Sequence, residues 1–333
     1  MRILLIGDFS DDYDEGFKNI AKYFHKYLSE KHEVSTLNIK KLVSISSLSK
    51  LRLQEPDIIH YFTVPTLNSL ILLKVLSLRW RNSKIIISAL HPRISNVFKF
   101  ELFRSIISRF FKPIVILYQA HKDIFQGMSY KTFYMPNGVD VNRFIPSDNN
   151  DKMRLREKYS IEKDKFIILH VGHLTKQRNL ELLNPIQRSS DRYRVLIIGG
   201  TYLSRGDKIV SNLKNNGCEI IVGYQENIEE FYRLSDCYVF PVKWGDTISM
   251  PLSVLEAMSC NLPVLMFRFD TFSSFPEEGG LFFADNEQQF IDSIQEIEYY
   301  VRNNYVVTNR EKVIEYSWEN IIRKVENIYD RML

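Results

Sequence analysis

Cysteine is scarce in this 333-residue chain: Cys218, Cys237 and Cys260 are three in number and lack metal-ligand spacing. An odd, scattered set argues against a disulfide framework or a zinc cluster and for buried thiols in a reducing compartment. Glycine and proline are few, at 13 and 11 residues, which argues against fibrous and low-complexity classes. No apolar run approaches the ~20 residues that span a bilayer, and Met1 leads straight into a strand-like run, MRILLIG, instead of a charged leader. A cytoplasmic protein is expected. Excess charge is missing too: 44 Lys and Arg against 40 Asp and Glu leave +4 and a pI near 8.7. Without an arginine-rich arm, nucleic acid is not an expected partner.

Two nucleotide signatures are also absent. Neither Gly7-Asp8-Phe9-Ser10 nor Gly199-Gly200-Thr201 completes a GxGxxG turn, and no GxxxxGK[ST] loop occurs. Nicotinamide enzymes and Walker-loop NTPases are therefore disfavoured.

What is present is a globular composition, 45% apolar and 25% charged, in a chain long enough for two cores. Short apolar runs at Met1–Gly7, Asp57–Tyr61, Lys84–Ala89 and Pro113–Tyr118 alternate with helical spacing at Asn19–Leu28, Leu67–Leu78 and Phe98–Phe110. That alternation predicts an α/β fold with a parallel sheet between helices. The pattern breaks at Met135-Pro136-Asn137-Gly138 and the polar SDNNDK, then restarts at Phe166–Val171, Tyr193–Gly199, Glu219–Val222, Tyr238–Pro241 and Pro263–Phe267. Two doubly wound domains are expected, residues 1–147 and 148–316, with an amphipathic helix over 317–333 returning to the first. Two such domains imply a cleft.

The second domain carries the densest chemistry. In SDCYVFPVKWGDTISMPLSVLEAMSCNLPV, a strand ends at Pro241, a loop follows, and Pro251 is placed to open a helix with Glu256 in its early turns. The helix amino end favours an anion such as a diphosphate, and Glu256 can accept hydrogen bonds from vicinal hydroxyls. The alternative is an ordinary buried helix with one glutamate. Val171–Leu183, VGHLTKQRNLELL, reads as strand, glycine turn and helix, with His173, Lys176 and Arg178 gathered at the helix start. Those cations either bind an anion or form a solvated surface turn. A doubly wound sheet presents its loops along one carboxyl edge, so the Gly172 turn, the Gly199-Gly200 turn and the Ser249-Met250-Pro251-Leu252 loop can meet one ligand.

The motifs PDIIH, IIISALH, PNGVDVNRF, VGHLTKQRN, SDCYVFP, MPLSVLEAMSCNLPV and YSWENI, in this order, run nearly end to end. By them the chain resembles the GT-B glycosyltransferases of family 4, retaining enzymes with two Rossmann-like domains facing across a cleft and a nucleotide-sugar donor. The resemblance implies an acceptor-binding first domain and a donor-binding second. Glu256 matches the second glutamate of the E-x7-E motif, which bonds the donor ribose. Arg178 matches the lysine of GRLxxxKG and His173 its arginine, so both would hold the diphosphate. His91 matches the acceptor-domain histidine that touches the transferred sugar, against a structural reading of a histidine at a strand end. Gly16 matches the glycine-bearing loop that closes over the donor phosphate, although an ordinary loop explains it equally well. Tyr224 and Gln225 fall where the base is recognised. His91, Arg178 and Glu256 are the implied catalytic set.

One departure touches specificity. The first glutamate of E-x7-E falls on Ile248, which cannot bond a sugar hydroxyl; Asp246 or the Ser249–Leu252 amides are candidate substitutes. The expected activity is metal-independent transfer from a UDP- or GDP-linked sugar to a hydroxyl of a glycan, glycolipid or lipid-linked acceptor, without a further cofactor. The alternatives are a non-catalytic nucleotide-sugar-binding partner of another transferase and a sugar-nucleotide epimerase. Asn137-Gly138 reads as a turn and Asp140 as its brace. Residues 98–112, FKFELFRSIISRFFK, interleave aromatic and basic residues; they form either a core-packed helix or a peripheral contact with the inner face of a membrane.

Overall fold

The computed structural model describes residues 1–9, 16–39, 54–62, 64–91, 94–111, 114–200, 206–243, 249–268, 272 and 275–333. The chain divides into two compact units: Met1–Asn137, Asp246–Met250 and Trp318–Leu333 in one, Gly138–Gly245 and Pro251–Ser317 in the other. Ile248 and Asp246, where the departure from the E-x7-E pattern falls, lie outside the described residues.

The first unit runs β1 (Arg2–Gly7), α1 (Gly16–Leu28), β2 (Glu33–Asn38), β3 (Ile58–Tyr61), α2 (Leu67–Arg79), β4 (Lys84–Ala89), α3 (Glu101–Phe110), β5 (Ile114–Tyr118), α4 (Lys122–Gly127) and β6 (Lys131–Tyr134). Its six strands pair in parallel in the order β2-β1-β3-β4-β5-β6. Strand direction demands a crossover between neighbours, and the helices supply it. Leu70, Leu73 and Leu76 of α2, Ile107 of α3 and Phe125 of α4 pack in one core with Ile59, Ile87 and Ile116. These three helices therefore cover the same sheet face. α2 begins at a reciprocal capping box, in which the Thr66 hydroxyl accepts from the Ser69 amide and Ser69 Oγ accepts from the Thr66 amide.

The terminal helix, Trp318–Asp330, belongs to this unit and packs on α1. Trp318 stacks on Tyr23 with centroids 4.9 Å apart, and Tyr329 reaches His60, at the middle of the sheet. His60 is fully buried; Nδ1 hydrogen-bonds the Tyr329 hydroxyl at 2.5 Å and Nε2 the Ser88 hydroxyl at 2.7 Å. Both ring nitrogens are satisfied, as a buried imidazole requires.

The second unit runs α5 (Asn149–Lys158), β7 (Phe166–Val171), α6 (Leu183–Ser189), β8 (Tyr193–Gly199), α7 (Gly206–Asn215), β9 (Glu219–Val222), α8 (Ile228–Leu234), β10 (Cys237–Phe240), α9 (Leu252–Ser259), β11 (Val264–Phe267), β12 (Leu281–Ala284), α10 (Glu287–Arg302) and α11 (Asn309–Val313). Its strands are again parallel, in the order β12-β11-β10-β7-β8-β9. The sheet is thus of the doubly wound α/β class, with the central strands β7 and β10 buried along their length apart from half-buried Val171. All three cysteines are buried free thiols.

Three local expectations are corrected. Pro251 is the N-cap, at φ −69° and ψ 127°, so the helix opens at Leu252. The basic cluster does not open an α-helix: Lys176–Arg178 is a single 3-10 turn, and Asn179 enters the left-handed region at φ 53° and ends it. Asparagine tolerates that conformation, so the chain turns again before α6 starts at Leu183. Finally, 98–112 is not a core-packed helix. Phe98 ends a short 3-10 turn and is buried, but within α3 only Ile107 is buried. Lys112 lies outside the described residues.

Candidate functional site

The carboxyl edge of the second sheet builds the site from backbone upward. The Gly172 amide donates to Ile198 O (2.9 Å), the Leu174 amide to Gly200 O (3.1 Å) and the Gly223 amide to Gly199 O (3.0 Å). The turns after β7, β8 and β9 are thereby tied side by side. A Cβ on Gly199 would stand 1.7 Å from Gly172 O, so only glycine permits this approach. Gly200 has no such neighbour within 4 Å. Tyr224 and Gln225 follow β9; Tyr224 is exposed and Gln225 half-buried.

Glu256 stands in the second turn of α9, whose first amides have no intrahelical acceptor. The Tyr232 hydroxyl, from α8, donates to Glu256 Oε2 at 2.8 Å. Burial raises the Glu256 carboxyl to about 7, opposed by the Tyr232 hydrogen bond and by the positive charge of Arg143. Arg143 is itself held by Glu229, Nε to Oε2 at 2.8 Å, and by the Glu226 carbonyl. One turn before Glu256, Ser253 Oγ accepts from the Tyr238 hydroxyl at 2.8 Å, and that hydroxyl also lies 3.3 Å from Val171 O. Tyr238 therefore links the end of β7 to the start of α9.

Arg178 completes the arrangement. Burial lowers its basicity, and Tyr238 is the one group whose charge opposes that effect. No carboxylate among the described residues pairs with it. Tyr238 feels both partners: Glu256 raises its hydroxyl pKa and Arg178 lowers it, beneath a larger upward shift from burial. A carboxylate and an uncompensated cation thus flank one tyrosine at the amino end of a helix, a setting that accepts hydroxyl protons on one side and an anion on the other.

His170 lies beneath the Gly172 turn and is fully buried. Its Nδ1–H donates to Val239 O at 2.9 Å, which leaves Nε2 as an acceptor without a partner. Burial lowers its pKa to about 4, and the Arg178 charge adds to that. A Cβ on Gly172 would come within 3.1 Å of Nε2.

Gly172, His173, Arg178, Gly199, Gly200, Tyr224, Gln225, Pro251, Leu252 and Glu256 all belong to the second unit. His91, Gly16, Ser249 and Met250 belong to the first. His91 is half-buried just past β4, and Gly16 opens α1. Ser249 and Met250 are buried, and Asn137 Nδ2 donates to Met250 O at 2.6 Å while its Oδ1 accepts from Gln119. Asn137 is thus more than a turn residue. Asp140 Oδ1 accepts from the amides of Asn142 (3.2 Å) and Arg143 (3.1 Å), the bracing expected of it.

Sequence reasoning missed Tyr232, Tyr238, Arg143 and His170. Tyr238 was legible as a strand residue, and Arg143 stood inside PNGVDVNRF; what no linear pattern gives is that Tyr232 and Arg143 converge on Glu256 from separate elements.

Among known proteins, the alpha-monoglucosyldiacylglycerol synthase of Acholeplasma laidlawii is 26% identical over 165 residues, 46% of this chain and 41% of that protein. The UDP-Gal:alpha-D-GlcNAc-diphosphoundecaprenol alpha-1,3-galactosyltransferase of Escherichia coli is 26% identical over 218 residues, 60% of this chain and 53% of that protein. The chain spans about half the length of such relatives or less. Anabaena HepE, solved with UDP and glucose, shares the fold with a TM-score of 0.76 at 14% identity, over 99% of this chain and 100% of that one. Residues 151–317 match the family described as Glycosyl transferases group 1. That match takes in the carboxyl-edge turns, Arg178 and Glu256, and the chain belongs to this family of glycosyltransferases.

Proposed function

We propose that the chain transfers a sugar from a nucleotide-diphosphate sugar to a hydroxyl of a lipid or lipid-linked acceptor, with retention of configuration and without a metal ion. The observation that carries this reading is that Glu256, held by the Tyr232 hydroxyl, and Arg178, without a described carboxylate partner, act in opposite directions on the same Tyr238 hydroxyl. Glu256 accepts the ribose hydroxyls, while Arg178, His173 and the first amides of α9 receive the diphosphate. As the bond from the sugar to the diphosphate breaks, negative charge grows on the phosphate oxygens, and fixed positive groups stabilise it more than they stabilise the donor. Retention follows if the acceptor hydroxyl attacks from the face the diphosphate leaves, its proton passing to the departing phosphate. His91 is proposed to take part in the transfer step.

The relatives support the chemical class. One is named for a glucosyldiacylglycerol product, another for UDP-galactose and a diphosphoundecaprenol acceptor, and HepE was solved with UDP. A uridine donor and a lipid acceptor are the matching choices here, with the enzyme working at the inner face of a membrane. No helix among the described residues is long and apolar enough to cross one.

A panel of UDP- and GDP-sugars tested by isothermal titration, then by turnover with diacylglycerol and polyprenyl-diphosphate acceptors in EDTA, decides the matter. The reading expects binding of at least one UDP-sugar and metal-free turnover whose product keeps the anomeric configuration. Failure of every nucleotide sugar to bind overturns it, binding without turnover favours a non-catalytic partner, and epimerised donor without acceptor favours an epimerase.

A further inference from the structure

The layer formed by α2 and α3 exposes what a soluble protein ordinarily hides. On α3, Phe100 at its N-cap and Leu102, Phe103, Ile106 and Phe110 are exposed, Leu102 to 71% and Phe110 to 62%. Phe103, Ile106 and Phe110 follow at intervals of three and four, which makes one continuous stripe on the outer side of the helix. On α2, which covers the same sheet face, Leu67, Ile71 and Leu78 are exposed as well. The layer on the opposite face behaves differently: α1 and the terminal helix expose no large apolar side chain among their described residues. Apart from Tyr134 on β6 and the terminal Leu333, the exposed large apolar side chains described in this unit lie on α2 and α3, which marks an interaction site rather than scattered surface leucines.

The excess of positive charge is concentrated in the same stretch. Residues 67–112 contain nine Lys or Arg and one acid, Glu101. The whole chain has 44 against 40, so the remainder carries 35 basic residues and 39 acidic ones. Lys99, Arg79 and Arg109 are exposed and Arg104 is half-exposed, around the apolar stripe. Exposed aromatics inside a basic collar match a bilayer interface with anionic headgroups: the rings enter the acyl boundary while the cations stay at the phosphates. A protein partner buried at this face would have to neutralise the same collar; an anionic bilayer does so without a dedicated surface.

We propose that the α2–α3 face of the first unit, centred on Phe103, Ile106 and Phe110 and ringed by Lys99, Arg104 and Arg109, is a docking surface for an anionic lipid bilayer. The proposal rests on the reading of a lipid acceptor and adds where the chain meets the lipid. α3 is about 15 Å long, enough to lie in the headgroup plane and too short to span it.

The test is co-sedimentation of the full chain with vesicles of phosphatidylcholine alone and with added phosphatidylglycerol. Binding is expected only with phosphatidylglycerol and is expected to weaken as salt rises. Arg104→Glu/Arg109→Glu should lower the vesicle-bound fraction about ten-fold or more, as should Phe103→Ser/Phe110→Ser. Phe103, Arg109 and Phe110 are exposed and Arg104 is half-exposed, and circular dichroism melts check that each variant folds. UDP-sugar titration of the same variants should be unchanged. No binding to anionic vesicles, or equal binding by both double variants, overturns the proposal. So does a dimer, seen by analytical ultracentrifugation, that the same substitutions dissociate and that stays off vesicles. A chain that binds vesicles but no nucleotide sugar upholds this surface and overturns the transfer reading; the reverse result does the opposite.

Discussion

The Tyr232 hydroxyl donates to Glu256 Oε2 at 2.8 Å, and it is the single side-chain hydrogen bond this half-buried carboxyl group has among the described residues. It holds the side chain still and leaves Oε1 for a ligand. Tyr232→Phe removes the donor, so the carboxyl pKa should rise further above about 7 and nucleotide-sugar affinity should fall. A lost hydrogen bond to a charged group costs about 1.5–3 kcal/mol. Titration calorimetry at pH 7.5 measures it; unchanged affinity would remove Tyr232 from the site.

The raised Glu256 carboxyl also gives donor binding a pH dependence. Below about 7 the group is neutral and has lost acceptor strength; above it the carboxylate accepts two hydroxyl protons. Affinity for a UDP-sugar, whose phosphates do not titrate in this range, should therefore rise from pH 6 to pH 8. Glu256→Gln should bind more weakly and lose that rise. A wild-type profile that also lacks it would contradict the assignment.

Arg178 sits half-buried with its basicity lowered and no described carboxylate beside it, so it burdens the free protein. Arg178→Met keeps the aliphatic volume and removes the charge. Thermal unfolding without ligand should stay level or shift upward, while donor affinity should fall by about 10- to 100-fold, the loss of a charge-assisted contact to phosphate. Reduced stability with intact affinity would mean that Arg178 serves the fold instead.

His60 and His170 are held neutral by burial, at about 3 and about 4, far below the 6.5 of a free imidazole. Below pH 6.5 the unfolded chain takes up protons that the folded chain refuses, so stability should fall as pH drops from 6.5 toward 4. Glu256 acts in the other direction, because between 4.5 and about 7 the folded chain keeps a proton that the unfolded chain gives up. Glu256→Gln should consequently lose stability more steeply on acidification than the wild type. Denaturant midpoints from pH 7 to pH 4.5 test the difference in slope.

The parallel α/β class was legible because the central strands are apolar runs: FIILHV, YRVLIIG and KIIISA match β7, β8 and β4 residue for residue. The strands that sequence reading passed over, β2, β6 and β12, are all at sheet edges. EVSTLN and KTFY are half exposed, and an edge strand with a solvated side carries no long apolar run to find. The site was legible in part for a similar reason. Glu256 and Arg178 stand in local strand-turn-helix patterns, whereas Tyr232, Arg143 and the orphan His170 Nε2 acquire meaning only when β7, α8 and α9 are brought side by side. The 98–112 segment was ambiguous because periodicity says that a helix has an apolar face without saying what covers it.

The glycine pair after β8 offers a control within one turn. At Gly199 a methyl group would stand 1.7 Å from Gly172 O and 2.8 Å from Gly172 C, both backbone atoms, so relief requires moving the turn that follows β7. At Gly200 nothing lies within 4 Å. Gly199→Ala should therefore destabilise the protein by about 2 kcal/mol or more, as overpacking against backbone does. It should also weaken nucleotide-sugar binding, because the displaced turn carries Gly172 and leads to Arg178. Gly200→Ala should change stability by no more than about 1 kcal/mol and leave binding intact. Equal melting temperatures for the two variants would show that the contact between the Gly172 and Gly199 turns is not what holds this edge of the sheet together.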